Sequence, residues 1–336
     1  MSSCKEINMP NFKIYAIGAA LVDTEVEVSD SFLSNHAIEK GVMTLVDQSR
    51  QAELISSLNM NGSKLLRQSG GSACNSAVAA AQLGAKTYFG GKIANDDDGK
   101  LYADDLTRAG VSHSFFPENQ GVTGKCLVMI TSDAERTMNT YLGVSDNFSE
   151  MEINQTVLAD SEWLYVEGYL QTDNQRTAVV KSAVEYAKQQ GVKVGLSLSD
   201  PFVAKLFSDN LKSVIGDSVD LIFCNKDEAL AFTGTTSLDQ AAESLKLYAK
   251  TFAITDGANG AVVFDGVSLL QAPGVKAKAV DTNGAGDMFA GAFLHAVTLG
   301  GSYLQAAELA NQAAAKVVER FGPRLNKADF KLLKIN

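Results

Sequence analysis

The chain has 336 residues, 46% of them hydrophobic, and its 29 Lys plus Arg against 39 Asp plus Glu give a formal net charge of −10. That length allows one large core with a smaller appendage, and the acidic balance disfavours a nucleic-acid backbone as partner. The opening MSSCKEINMPNFK has no apolar signal core, and the longest apolar run, near Ile14 to Val22, is too short to span a bilayer, so a cytoplasmic protein with no membrane attachment is expected.

In chain order, KIYAIGAALV (13–22) reads as one buried strand. DTEVEVSD and VMTLVD alternate polar and apolar residues, as a half-exposed antiparallel sheet does. SACNSAVAAAQLG reads as a helix and KTYFGGK as the next strand; Asp96, Asp97 and Asp98 read as solvated caps for the helix GKLYADDL. VSHSFF and KCLVMITSDAERTMNTYLG return to half-exposed alternation. These two interruptions are expected to form one small β lid, from about 20–50 and 111–143, on a single domain spanning 1–336. WLYVEGYL, VKVGLSL, DLIFCN and FAIT then read as buried strands. Between them, Asn174 to Gln190, Pro201 to Leu211 and Lys226 to Phe232 have helical composition. Such alternation implies α/β architecture: a mostly parallel sheet with helices on both faces and a ligand site beyond the carboxyl ends of its strands. Cys4, Cys74, Cys126 and Cys224 are isolated, and His36, His113 and His295 lack metal-ligand spacing. A disulfide framework or zinc site is disfavoured, and the cysteines are expected to be buried or inert.

The segment Asp281-Thr282-Asn283-Gly284-Ala285-Gly286-Asp287, followed by MFAGAFLHAV, carries the chemistry. Gly284, Ala285 and Gly286 stand at a helix mouth, where unpaired N–H groups and the helix dipole favour an anion. Asp287 beside them makes sense as a general base: it takes a proton from a hydroxyl while the N–H groups stabilise an arriving phosphoryl group. Its ordinary pKa of about 3.9 leaves it ionised at neutral pH. Gly70-Gly71-Ser72-Ala73-Cys74-Asn75 enters a helix with bare backbone that a polyol can approach, and the Asn75 amide both donates and accepts; a capped strand-to-helix turn is the plain alternative. No GxxxxGK[ST] string exists, and GAALVD after the first strand supplies no dinucleotide fingerprint, which disfavours an NAD-dependent oxidoreductase.

DTNGAGDMFAG resembles the second signature of the ribokinase (PfkB-type) family of carbohydrate and nucleoside kinases, and GGSACN resembles its first. The likeness runs in the family's order from Asp23 to Gly322 and implies a ribokinase-like fold. It assigns substrate binding to Asp23, Gly70, Gly71, Asn75 and Asp287, with Glu167 beneath the substrate and Arg136 closing from the lid. An exposed strand-end Asp, a core-edge carboxylate and a turn Arg are the plain readings of Asp23, Glu167 and Arg136. NKDE resembles the family's N-x-x-E element, with Asn225 and Glu228 organising Mg2+ through water. TDGANG resembles its nucleotide loop, with Thr255, Gly257 and Gly260 near ATP, a hairpin turn into AVVF being its plain reading; Gly286 and Asn311 complete the nucleotide side. Some family members bind K+, which would here lie among Asp281, Asn283, Val317, Arg320 and Gly322. The implied function is transfer of the γ-phosphoryl group of ATP to a primary hydroxyl. ERTMNTYLG, YVEGYL and FGPRL look like the bacterial adenosine-kinase-like branch, so a nucleoside such as adenosine is expected as acceptor. A kinase for fructose, ribose or 2-keto-3-deoxygluconate stands beside it, as does a non-catalytic binding protein on the same fold. A homodimer through the lid's open sheet is the expected assembly if the chain self-associates.

Overall fold

The computed structural model describes residues 10–60, 62–331 and 333; Cys4 and the rest of the opening MSSCKEINM lie outside the described residues. The described strands are β1 (Phe12–Ile17), β2 (Leu21–Glu27), β3 (Met43–Leu45), β4 (Leu66–Gly70), β5 (Thr87–Gly90), β6 (Val111–His113) and β7 (Gly124–Ile130). They continue with β8 (Arg136–Tyr141), β9 (Ser161–Val166), β10 (Lys193–Ser197), β11 (Val219–Asn225), β12 (Ala249–Thr255), β13 (Gly260–Phe264) and β14 (Leu269–Pro273). One sheet runs β14-β13-β12-β11-β10-β9-β1-β5-β6 and the other β3-β8-β7-β2-β4. From β6 across to β12 every pairing in the large sheet is parallel; β13 and β14 close its edge antiparallel. The architecture is α/β, as expected, with a large mostly parallel sheet and a second, small one.

A parallel strand covered on both faces needs an unbroken apolar run, and Ile14, Tyr15, Ala16 and Ile17 of β1 are all buried. One face of the large sheet carries the helices Ser72–Leu83, Ala285–Thr298 and Tyr303–Val318. Their facing residues are small, with Ala77, Ala80, Ala290, Ala306 and Ala310 buried, which lets the helices approach one another closely. The opposite face is covered by Asn174–Gln189, through Val180, Val184 and Ala187, and by shorter helices after it.

The small sheet obeys a two-residue period. Leu127 and Met129 of β7 pack with Val26, Leu54 and Leu58 under the Gln48–Met60 helix. Cys126, Val128 and Ile130 face the other way, with Leu21 and Met138.

Several expectations change. KIYAIGAALV is two strands in two sheets: the chain crosses at Gly18–Ala20, where the Ala19 N–H leaves the ladder and donates to Glu167 Oε1 at 2.7 Å. VSHSFF does not join the small sheet, because Val111–His113 pairs with Thr87–Phe89 at the edge of the large one. Leu66–Gly70 joins the small sheet instead, antiparallel to β2, so the bounds 20–50 and 111–143 are corrected at both segments. That sheet is mixed rather than antiparallel, since β2 runs parallel to β7 and β3 to β8. WLYVEGYL leaves the ladder after Val166 and turns through a 3-10 stretch at Gly168–Thr172. Pro201–Leu211 is two helices, Pro201–Leu206 and Ser208–Ile215, with Phe207 closing the first on the Val203 carbonyl. Asp96 is the N-cap expected of it, but Asp98 is buried and paired with Arg67 and Lys125 rather than solvated.

Candidate functional site

A cleft of about 550 Å³ lies between the two sheets, at the carboxyl ends of β1, β9, β10, β11 and β12. Three helices open on it by their N-termini: Ser72–Leu83, Lys226–Thr233 and Ala285–Thr298. Each contributes partial positive charge and N–H groups without intrahelical partners.

Gly284 is the N-cap of the Ala285–Thr298 helix at φ 73°, a left-handed conformation that an L side chain resists, and a Cβ there would strike Pro323. This bend aims residues 284–286 into the cleft, which they line. A Cβ at Gly286 would meet nothing within 4 Å, so the helix mouth is open to a ligand. Asp287 follows in the first turn, with Oδ1 accepting from Ser72 Oγ at 2.6 Å and Oδ2 from Asn75 Nδ2 at 3.0 Å. Burial raises its carboxyl above the ordinary range, opposed by those two hydrogen bonds and by the charges of Arg136 and Arg324.

Asp23, on the cleft face of β2, is buried rather than exposed at a strand end. Burial, then the neighbouring Glu25, pushes its carboxyl well above the usual range. A Cβ at Gly70 would collide with that carboxylate, so glycine there makes room for Asp23. Gly71, Ser72 and Asn75 line the cleft. Glu167 lies beneath them with both oxygens engaged, by the N–H groups of Ala19 at 2.7 Å and Ala73 at 2.9 Å. It ties the strand crossing to the entry of the Ser72–Leu83 helix, and burial pushes its carboxyl up to about 7.

Across the cleft, Asn225 and Glu228 form a reciprocal capping box. Glu228 accepts from the Asn225 N–H at 3.1 Å and from Asn225 Nδ2 at 2.7 Å, and burial raises it to about 7. With both oxygens so engaged, its reach to a metal fits a bridging water. Thr255, Asp256 and Gly257 line the same end. Gly260 does not: it begins β13 of the hairpin, where a Cβ would strike the Ala272 carbonyl. Asn311 is also turned elsewhere, its amide donating to the carbonyls of Ala272 at 3.2 Å and Pro273 at 3.0 Å on β14. It fastens a helix to the sheet edge instead of facing the cleft.

The group assigned to K+ is drawn together behind the helix mouth. Asp281 accepts from the N–H groups of Asn283 at 2.8 Å and Gly322 at 2.9 Å, and Val317 accepts from the Arg320 N–H at 3.2 Å. The Arg320 side chain pairs away with Asp329. Arg136 extends from β8 into the cleft, its Nη1 contacting Asn283 Oδ1 at 3.4 Å. Asn283 in turn donates to Glu25 on β2 at 3.2 Å. The small sheet is thus stitched to the 281–287 loop at two strands.

Asp23, Gly71, Asn75, Arg136, Glu167, Asn225, Glu228, Thr255, Gly257, Asn283 and 284–287 therefore share one cleft, while Gly70, Gly260, Asn311, Asp281, Val317, Arg320 and Gly322 stand outside its lining. Ser72 and Arg324 were not singled out by sequence. Ser72 stands inside GGSACN and Arg324 inside FGPRL, yet neither string says that its side chain meets the partners it does. Chemically, a buried carboxylate held by two donors beside a helix mouth, whose Ala285 N–H makes only a long 3.4 Å bond to the Thr282 carbonyl, can take a proton from a hydroxyl and steady negative charge on the far side.

Residues 42–329 match the family described as pfkB family carbohydrate kinase. The chain is 29% identical to the adenosine kinase of Saccharomyces cerevisiae over 92% of its own length and 96% of the relative's. It is 31% identical to the ribokinase of Haemophilus influenzae over 75% and 82% of the two chains. Among solved structures, the adenosine kinase from Sinorhizobium meliloti is 32% identical with a TM-score of 0.87 over 96% of this chain and 98% of that one. A probable sugar kinase from Rhizobium etli is 31% identical with a TM-score of 0.91 over the same shares.

Proposed function

The chain belongs to the pfkB family of carbohydrate kinases, phosphotransferases acting on an alcohol group, and on that premise we propose that it transfers the γ-phosphoryl group of ATP to a primary hydroxyl of a nucleoside such as adenosine. The observation that carries the chemistry is Asp287, held by Ser72 and Asn75 beside the open helix mouth at 284–286. As the acceptor oxygen bonds to phosphorus and the bond from phosphorus to the leaving ADP oxygen breaks, the hydroxyl proton passes to Asp287. The N–H groups of Gly284, Ala285 and Gly286 hold the charge on the transferring group. Arg136 reaches over it from β8. Magnesium bound with ATP neutralises phosphate charge, and Asn225 and Glu228 are the groups to hold it through water.

The acceptor class rests on the cleft wall. Met43, Leu45, Val128, Met138 and Leu142 present an apolar face from the small sheet. A free sugar, polar around its whole ring, leaves such a face uncovered, whereas a flat base covers it while the ribose reaches Asp23, Asn75 and Asp287. ATP consumption is to be measured with adenosine, other nucleosides, ribose, fructose and 2-keto-3-deoxygluconate; turnover with adenosine is expected. Response to the sugars alone overturns the nucleoside reading. Asp287→Asn is expected to keep adenosine binding by calorimetry and to lose about 10²- to 10⁴-fold in kcat; near-normal turnover would remove Asp287 as the base.

A further inference from the structure

Arg324, in the loop after the Tyr303–Val318 helix, has a nearly buried guanidinium that the chemistry above leaves unused. Its Nε donates to Asn75 Oδ1 at 3.1 Å, its Nη1 to Asp105 Oδ2 at 2.9 Å, and its Nη2 to the Ser69 carbonyl. Asp105 is itself fixed by the Ser69 N–H at 3.1 Å and by the Ser69 hydroxyl. The fork therefore stands rigidly between β4, the Ser72–Leu83 helix and the Asp97–Ala109 helix.

A guanidinium only donates, so the Asn75 atom facing it must be the amide oxygen. The Asn75 NH2 is then turned toward Asp287 Oδ2, 3.0 Å away. Without Arg324 the amide can rotate half a turn and set its oxygen against the carboxylate, exchanging an attraction for a repulsion.

We propose that Arg324 is a positioning residue: by fixing the orientation of the Asn75 amide, it keeps a hydrogen-bond donor on Asp287 Oδ2 and so holds that carboxylate in place for the acceptor hydroxyl. The functional half of this statement rests on Asp287 being the base. Other groups also act on Asp287. Ser72 donates to Oδ1, and Arg136 on β8 adds positive charge. Asp23 on β2, Glu167 after β9 and Glu228 after β11 add negative charge, and the Tyr165 and Tyr169 hydroxyls stand in its field. The charge of Arg324 itself also acts on Asp287 and on Asp23, so the relay is separated from it by Arg324→Lys, which keeps that charge, and by the coupling with Asn75→Leu.

The test compares wild type, Arg324→Met, Arg324→Lys, Asn75→Leu and the Arg324→Met/Asn75→Leu double variant. The first readout needs no acceptor: carboxyl-labelled aspartate is followed by carbon NMR against pH, with the Asp287 signal identified by its loss in Asp287→Asn. Arg324→Met and Asn75→Leu should each raise the Asp287 midpoint by about one pH unit, and the double variant should move it by clearly less than the sum, because both remove one relay and only the direct charge of Arg324 adds to it. Arg324→Lys keeps charge but loses the fork, and should recover part of the shift. The second readout uses ATP with adenosine. In Arg324→Met, kcat should fall on the order of 10- to 100-fold and the acid limb should move to higher pH, while KM for ATP changes by no more than about twofold. An unmoved midpoint in a folded variant, or shifts that add in the double, overturns the proposal. Where Arg324→Met fails to fold by circular dichroism, Arg324→Lys and Asn75→Leu with their double carry the same comparison. Wild-type turnover by Asp287→Asn overturns the base reading instead, and the NMR titration still decides whether Arg324 positions the carboxylate.

Discussion

Glu25 is fully buried on β2, with Oε1 accepting from Asn283 Nδ2 and Gln68 Nε2, both at 3.2 Å, and Oε2 without a hydrogen-bond partner among the described residues. Burial, then the charge of Asp281, pushes its carboxyl from 4.5 up to about 7. A folded-state pKa above the unfolded one means that folding takes up a proton between those values. The stability it contributes is whole below about 4.5 and is lost as pH rises through about 7. Glu25→Gln removes this titration, so thermal unfolding across about pH 5 to 8 should show a flatter decline of Tm than in wild type. Glu167 and Glu228, both raised to about 7, retain part of the slope; an unchanged slope would show that Glu25 does not titrate in this window. Residues of this kind are the least legible in sequence. Asp287 declares itself through its neighbours in DTNGAGD, but the hydrogen bond from Ser72 spans 215 residues and that from Arg324 to Asn75 spans 249. Only the packing of three helices and two sheets brings such partners together.

The small sheet shows what a strand pattern does and does not reveal. Alternation in KCLVMI and ERTMNTY correctly separates the face with Leu127 and Met129 from the face with Val128, Arg136 and Met138. It does not say which strand pairs with which: Val111–His113 has a plausible small-sheet pattern yet docks on β5, and LRQSG joins the sheet without any apolar alternation. Pairing depends on where the preceding helix delivers the chain, which local composition does not encode. The face itself supports a test. Met138 stands on the cleft wall, half-buried, and Met138→Gln keeps its length while adding a polar amide. KM for adenosine should rise about tenfold, corresponding to loss of one apolar contact, with KM for ATP unmoved. Equal effects on both substrates would show that this wall does not meet the acceptor.

At the scale of the molecule, the large sheet divides the interior into two cores, one on each face. The α/β alternation made this layering legible, because parallel strands without flanking helices have no other way to hide both faces. The aromatic cluster that binds the last helices to the sheet was not legible, since its members come from distant strands and helices. Phe293 lies 5.3 Å from Phe223, 5.9 Å from Phe289 and 5.5 Å from Tyr303, between ring centroids. Phe293→Ala should cost about 3–5 kcal/mol, seen as a clear drop in Tm; a loss below about 1 kcal/mol would mean that the neighbours collapse into the space.

The order in which the chain supplies the site has a consequence for synthesis. The small sheet is complete at Tyr141, whereas the helix mouth comes with Gly284–Gly286 and the buried fork with Arg324. Growing at the usual rate, a nascent chain spends roughly 10–40 s between the first point and the last. During that interval it can offer a wall for an acceptor but neither the carboxylate nor the anion cradle. On the proposed reading, a chain released before Asp287 is expected to be inert toward ATP, whereas loss of Arg324 alone lowers turnover without abolishing it.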